Sequence, residues 1–179
     1  MQGVALVSIL CRDRIGLVAA IADHMFALGI NLRDTTFAVL GKGAEFTSIC
    51  ELPAGLAPDA LERGLVGLSE LEGAQIRVVA YPFDPVPGPT GRITHRVEVE
   101  GGDQLGLIAR LADIFSQSGA NIVRLDAQKL PENEGGRYVT RFLVWLPPAR
   151  AAYCLAAVAN TAGSMGLVSR AESVAEVAP

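Results

Sequence analysis

One block of residues occurs twice in this chain without a gap. Asp13-Arg14-Ile15-Gly16-Leu17-Val18-Ala19 and Asp103-Gln104-Leu105-Gly106-Leu107-Ile108-Ala109 line up at a constant offset, 103 − 13 = 90. The correspondence runs on through Ala22-Asp23 and Ala112-Asp113, then Gly29 and Gly119, to Asn31 and Asn121. Internal repetition limits the possible folds more than any single motif does, because each copy has to be one folding unit. Two copies that keep the same polar residues also imply two copies of one site.

The length of 179 residues suits one domain or two small ones, and the repeat selects two. Half of the residues are hydrophobic, so each unit has material for a core and neither has the composition of a disordered chain. A net charge of −4 without a run of Lys or Arg gives no phosphate-neutralising surface, which argues against direct nucleic-acid binding. The apolar runs are strand-sized, well short of the roughly 20 residues of a membrane helix. Residues 4–11 could pass for a short signal segment, but no basic residue precedes them and they run into the repeated block, so they read as a strand. Cys11, Cys50 and Cys154 are odd in number, widely spaced and without a Cys-x-x-Cys pair. That pattern predicts reduced thiols in a soluble, cytoplasmic protein, with no disulfide framework and no metal site.

Along the first unit, residues 4–10 are apolar throughout, as a central strand would be. Asp13 is expected to N-cap a helix over 16–28, whose stripe is Leu17, Val18, Ile21, Met25 and Leu28, with Gly29 ending it. Strands are predicted at 30–40 and 44–52, joined by the hairpin signal Gly41-Lys42-Gly43. Pro58 opens a second helix through about residue 71, weakened by Gly64 and Gly67 at about 1 kcal/mol each, and 75–81 forms a last strand. The second unit repeats the order: strand 92–100, helix 106–118, strands 120–130 and 136–146, helix 148–163, strand 165–171. The order predicts an α+β fold of two ferredoxin-like βαββαβ domains, each an antiparallel sheet with two helices on one face. The domains are expected at 1–81 and 92–179, joined by the linker 82–91, whose four prolines make it extended and semi-rigid.

The two first strands differ. Thr94, Arg96, Glu98 and Glu100 correspond to Val4, Leu6, Ser8 and Leu10, so the second unit shows a charged sheet face where the first shows an apolar one. An exposed apolar face is usually an interface, and the first unit is expected to have it covered by its sister unit or another subunit.

Catalytic signatures are thin. The chain has no Gly-x-Ser-x-Gly, no His-Glu-x-x-His and no phosphate-loop motif. His24 and His95 fall where their repeat counterparts, Ile114 and Ala5, are apolar, which predicts part-buried structural histidines. Cys11 precedes two arginines, an environment that can lower a thiol pKa, but no repeated partner would activate it. No catalytic residue and no cofactor are predicted. The repeated loop remains. The first amides of a helix point outward with partial positive charge, and Gly16 and Gly106 would let a ligand carboxylate approach them. Asp13 and Asp103 could cap the helix or receive an ammonium group, and Asn31 and Asn121 offer a donor and an acceptor. Such groups suit a free amino acid. The same residues also have purely structural readings: Asp as a cap, Gly for close packing, Asn for a turn.

Asp-Arg-Ile-Gly-Leu-Val-Ala followed by Gly29-Ile30-Asn31-Leu32, with its second copy ending in Gly119-Ala120-Asn121-Ile122, resembles the signature of ACT domains, the small-molecule-sensing modules of amino-acid metabolism. Two such domains with nothing else attached resemble the glycine cleavage system transcriptional repressor group. The resemblance implies the βαββαβ fold and a ligand at an interface between paired domains, held by the loop before the first helix and, across the interface, by the second strand. Carried over residue by residue, it marks Asp13, Arg14, Gly16, Leu17 and Asn31, with Asp103, Gly106, Leu107 and Asn121. Arg12 and Arg14 become Gly102 and Gln104 in the second copy, so the two sites are expected to be unequal; Arg14 could add a charge-assisted contact to a carboxylate. The implied function is that of a non-enzymatic regulator, a homo-oligomer that senses a small amino acid such as glycine and acts on a protein partner, a regulator or an enzyme. It would bind neither DNA nor membrane directly. The alternatives are a regulatory subunit of a biosynthetic enzyme and an assembly module with no ligand.

Overall fold

A computed structural model describes residues 3–131 and 136–174. The domain limits expected at residues 1 and 179 lie outside them. The chain divides into two compact units, Met1–Pro85 and Val86–Pro179, a division that falls inside the proline-rich segment.

In the first unit the elements are β1 (Gly3–Arg12), α1 (Leu17–Ala27), β2 (Asn31–Leu40), β3 (Gly43–Leu52), α2 (Pro58–Val66) and β4 (Gln75–Ala80). In the second they are β5 (His95–Gly101), α3 (Leu107–Gln117), β6 (Asn121–Lys129), β7 (Tyr138–Trp145), α4 (Ala151–Ser164) and β8 (Val168–Ser173). Both sheets are antiparallel, in the order β2-β3-β1-β4 and β6-β7-β5-β8, so both units are ferredoxin-like βαββαβ folds of the α+β class. The core of the first unit lies between sheet and helices. Ala5, Val7 and Ile9 of β1 face Leu17, Ile21 and Met25 of α1 and Leu61 and Leu65 of α2, all buried. Period 2 in the strand meets period 3.6 in the helices, as the sequence pattern requires.

The repeat keeps its offset of 90 through the first three elements and then changes. Val7 pairs with Ser48 and Val97 with Phe142, so at the third strand the offset is 142 − 48 = 94. Four extra residues therefore lie in the β6–β7 connection. The core absorbs the change by moving bulk along the strand: Phe46 and Ser48 in the first unit are matched by Thr140 and Phe142 in the second, all buried. Phe142 then meets Phe115, with ring centroids 5.2 Å apart, at the position of Met25 in the first copy.

Several boundaries differ from expectation. The helix predicted over 58–71 stops at Val66. Gly67 turns its N–H back to the Arg63 and Gly64 carbonyls, Leu68 is extended, and a separate 3-10 turn follows at Ser69–Leu71. The last helix starts at Ala151 rather than Pro148, because Pro148–Arg150 forms a 3-10 turn ahead of it. Asp13 does not cap α1. Gly16 is the N-cap, left-handed at φ 93°, with no side-chain cap bond, and Gly106 repeats it at φ 80°. Gly29, at φ 71°, closes its helix as expected, and Gly119, at φ 69°, does the same in the second unit, through paired backbone bonds. Ile30 N–H donates to Met25 O (3.0 Å) and Gly29 N–H to Phe26 O (2.9 Å); Ala120 and Gly119 donate likewise to Phe115 O and Ser116 O.

Candidate functional site

Two of the repeated positions are explained by backbone geometry alone. A Cβ added at Gly16 or Gly106 would meet nothing within 4 Å, so close packing is not why these residues are glycine. Their positive φ is, since a side chain in that conformation is disfavoured. The following residues, Leu17 and Leu107, are buried core anchors, so each αL turn drives an apolar side chain inward while leaving the loop outside. Ile15 and Leu105, just before the glycines, are fully exposed in both copies.

The open helix ends are unequal. Leu107 N–H turns back to Gln104 O (3.3 Å), whereas Leu17 N–H has no such partner among the described residues. Arg14 donates from Nη1 to Ser69 O at a long 3.4 Å, and the Gln104 side chain makes no comparable contact among the described residues. Asp13 is held by its backbone, N–H to Lys42 O at 3.1 Å, and its carboxylate has no partner among the described residues. Asp103 carries an ion pair to Lys129 at 3.5 Å, exposed on both sides and therefore weak.

The asparagines stand elsewhere. Arg12, beside Asp13, pairs with Gly43 at one end of β3, while Asn31 pairs with Glu51 near the other end, eight residues along. At ~3.3 Å per residue the loop and the asparagine are about 26 Å apart along the sheet. In the second unit Gly101 pairs with Tyr138 and Asn121 with Trp145, a separation of about 23 Å on the same rise. Within one unit, then, the loop group (Asp13, Arg14, Gly16, Leu17) and Asn31 cannot hold the same amino acid, and the same is true of Asp103, Gly106 and Leu107 against Asn121.

The two asparagines are also differently employed. Asn31 donates from Nδ2 to Glu51 Oε2 (2.8 Å), and Arg33 Nε pairs with the other oxygen, Oε1, at 2.8 Å. Asn121 donates from Nδ2 to Thr90 O (2.9 Å), tying the 3-10 turn Pro89–Gly91 to the start of β6 within the second unit. Glu51, Arg33, Thr90 and Lys129 were missed from sequence, because only the strand register and the path of the chain before β5 bring them to the repeated residues.

Of the other candidates, Cys11 is corrected. Burial pushes its thiol pKa up, outweighing the lowering effect of Arg14, and Asp13 adds to the rise. Burial raises Cys50 as well. His24 and His95 are part-buried, as expected. His95 Nδ1 lies 2.9 Å from Thr94 Oγ1, and burial lowers its pKa. The charged face of the second unit is present as a lattice: Arg141 binds Glu98 (2.8 Å) and Asp126 (3.3 Å), and Glu100 lies between Arg137 (3.6 Å) and Arg170 (3.7 Å). On the first unit Val4 and Leu6 are part-buried and Leu10 is 46% exposed. A depression of about 630 Å3 there is lined by Ser8, Leu10, Leu40, Glu45, Glu62 and Arg77 among others, and by none of the repeated loop residues. Among the described residues no cluster of His, Cys, Asp or Glu could hold a metal, and no helix is long and apolar enough to cross a membrane.

Each unit is thus a ferredoxin-like βαββαβ sandwich with an αL glycine opening its first helix. The solved structures agree. A protein described as unknown from Galdieria sulphuraria shares the fold over 97% of this chain and 99% of its own, at 23% identity and a TM-score of 0.73. A second, provisionally described as a glycine cleavage system transcriptional repressor, matches over 97% and 98%, at 16% identity and a TM-score of 0.64. Neither a scan against protein-family models nor a search of curated proteins finds a match.

Proposed function

We propose that this chain is a non-catalytic, cytoplasmic regulatory protein that senses a small amino acid, glycine first among the candidates, and acts by binding another protein in the transcriptional control of amino-acid metabolism. The observation that carries this reading is the end-to-end sharing of architecture with the structure described as a glycine cleavage system repressor. The net charge of −4 favours a regulator protein over the operator as the target. Residues 82–91 would serve as the joint between the two domains.

The effector's carboxylate would sit at the open amides of α1 with Arg14, and its ammonium at Asp13. The first unit is the better receptor, since it keeps Arg14, an unengaged Asp13 carboxylate and the outward Leu17 N–H. Thermal shift of the purified protein against each amino acid tests this. A ligand held only by the folded state adds RT ln(1 + [L]/Kd), about 2.7 kcal/mol at a hundredfold excess over Kd. Glycine is expected to shift the wild type, Asp13→Asn to lose the shift, and Asp103→Asn to keep most of it. No shift with any amino acid would sink the sensing reading. Retardation of bare operator DNA at physiological salt would sink the protein-partner reading.

A second reading, assembly without a ligand, is favoured by one observation: both asparagine amides already donate to acceptors inside the fold.

A further inference from the structure

In the second unit Val97, Phe142 and Val144 face the helices, so their neighbours Arg96 and Leu143 face the other way, onto the open side of the sheet. Two arginines flank that leucine. Arg96 of β5 and Arg124 of β6 both pair with Leu143 of β7, one from each side. Neighbouring strands lie about 4.8 Å apart, so the two arginine backbones are roughly 10 Å from each other across Leu143. Both side chains line one depression of about 370 Å3, together with Leu143, Glu98, Asp126 and Arg141. The carboxylates there are already engaged, since Arg141 holds Glu98 at 2.8 Å and Asp126 at 3.3 Å. Arg96 and Arg124 have no ion-pair or hydrogen-bond partner among the described residues, and Glu172, opposite Arg96 on β8, forms no ion pair with it. Three arginines against two carboxylates leave the depression one positive charge in excess, 3 − 2 = 1.

The first unit is an internal control. At the offset of 90, Leu6 and Asp34 stand for Arg96 and Arg124, and at the later offset of 94 Ile49 stands for Leu143. Leu6 pairs with Ile49 as Arg96 pairs with Leu143, so the same sheet forms without a cation at either place. The second strands also bulge differently. In β2 the register breaks between Leu32 and Thr35, and Asp34 falls inside the bulge. In β6 it breaks between Ile122 and Arg124, and pairing has resumed at Arg124. A bulge re-aims the side chains beside it, and here it brings Arg124 into line with Leu143 and Arg96.

We propose that this depression is an anion site that takes the phosphate group of a small phosphorylated molecule, with Leu143 against its organic part. Each guanidinium presents a planar fork of donors. A carboxylate, with two oxygens, satisfies one fork, whereas the three terminal oxygens of a phosphate accept from two forks at once. Its charge of about −1.5 to −2 at neutral pH matches two unpaired cations. Glu98, Asp126 and Glu172 around the clamp repel a second phosphate, so the site suits one phosphate group and not a nucleic-acid backbone. It stands independently of the amino-acid pocket proposed for the first unit.

Isothermal titration of the full chain with inorganic phosphate, at an ionic strength fixed with chloride, tests the site, and circular dichroism confirms that each variant folds. The wild type is expected to bind one phosphate per chain. Arg96→Gln and Arg124→Gln should each weaken binding at least about tenfold, as the loss of a hydrogen bond between charged groups does. Arg137→Gln, which removes an arginine paired with Glu100 at 3.6 Å, should leave binding unchanged. Acetate and succinate, titrated alike, should bind more weakly than phosphate. A wild type that binds no phosphate, or Arg96→Gln and Arg124→Gln proteins that bind it as the wild type does, overturns the site. Equal weakening by Arg137→Gln would mean a diffuse positive field in place of a clamp, and overturns it too. Tighter binding of succinate than of phosphate rejects the ligand class. Phosphate binding without any glycine-dependent thermal shift leaves this site standing and removes only the sensing reading.

Discussion

His24 lies against Gly64 so closely that a Cβ at position 64 would stand 2.8 Å from its Nε2 atom and 3.3 Å from Cε1. The Nε2 atom is buried there without a hydrogen-bond partner among the described residues. The glycine that weakens α2 is therefore the seat for a side chain of α1. Gly64→Ala should gain about 1 kcal/mol in helix propensity but lose more by forcing the imidazole aside, since overpacking costs roughly 1–3 kcal/mol. The expected net effect is destabilising. In a His24→Ala background the clash is absent, and Gly64→Ala should become stabilising by up to about 1 kcal/mol. Denaturant titration of the four proteins of this cycle reads the reversal of sign, and additive effects would reject the contact.

The shift of bulk between the cores leaves two buried hydroxyls in different situations. Ser48 Oγ lies 2.8 Å from Thr35 Oγ1 and 3.3 Å from Ile49 O, whereas Thr140 Oγ1 has no partner among the described residues. Thr140→Val removes an unsatisfied polar atom and keeps the shape, so it should stabilise by about 1 kcal/mol. Ser48→Ala should destabilise by about as much, through the lost bonds. Urea midpoints at constant slope check both. A destabilised Thr140→Val protein would mean that the hydroxyl is satisfied in solution.

The constant offset from Asp13 to Asn121 was enough to reveal the duplication, the βαββαβ order and Gly29 as a helix stop, because those follow from local periodicity and turn chemistry. Gly16 was legible as special but for another reason. Packing and ligand approach were both plausible from sequence, and only the measured φ of 93° assigns the residue to the backbone. The separation of Asn31 from Asp13 was not legible. It depends on β1 ending beside Gly43 while β2 begins beside Glu51, α1 having carried the chain back along the sheet, and residues 18 apart in sequence carry no sign of that. The four-residue change of offset at β7 was hidden for the same reason, since alternating apolar residues look alike after an even shift. The second helix extends too far in the sequence reading because Leu61, Leu65 and Leu68 keep a helical spacing past Gly67, where the chain has already left the helix.

Burial lowers the pKa of His95, so the unfolded chain binds a proton at that residue more readily than the folded one does. The stability this contributes is fully present above the unfolded value, about 6.5, and is lost as pH falls through the lower folded value. Wild-type stability should therefore decline on acidification below that value, and His95→Asn should flatten part of the decline. Thermal unfolding of both proteins across that window reads the difference. Identical pH profiles would show that His95 contributes no linkage.

Gly16 and Gly106 provide the sharpest separation of structure from ligand. Each sits at positive φ with open space where a Cβ would go, so substitution brings strain without collision. Gly16→Ala and Gly106→Ala should each cost about 1–2 kcal/mol, and asparagine at either position should cost less, because its side chain tolerates the left-handed conformation. On backbone grounds the two positions are equivalent. If the first loop alone is the receptor, Gly16→Asn should abolish or weaken the glycine-dependent thermal shift while Gly106→Asn, strained to the same degree, leaves it intact. Equal loss from both would mean that both loops take part, and the inequality inferred from Arg14, Asp13 and the Leu17 amide would be wrong.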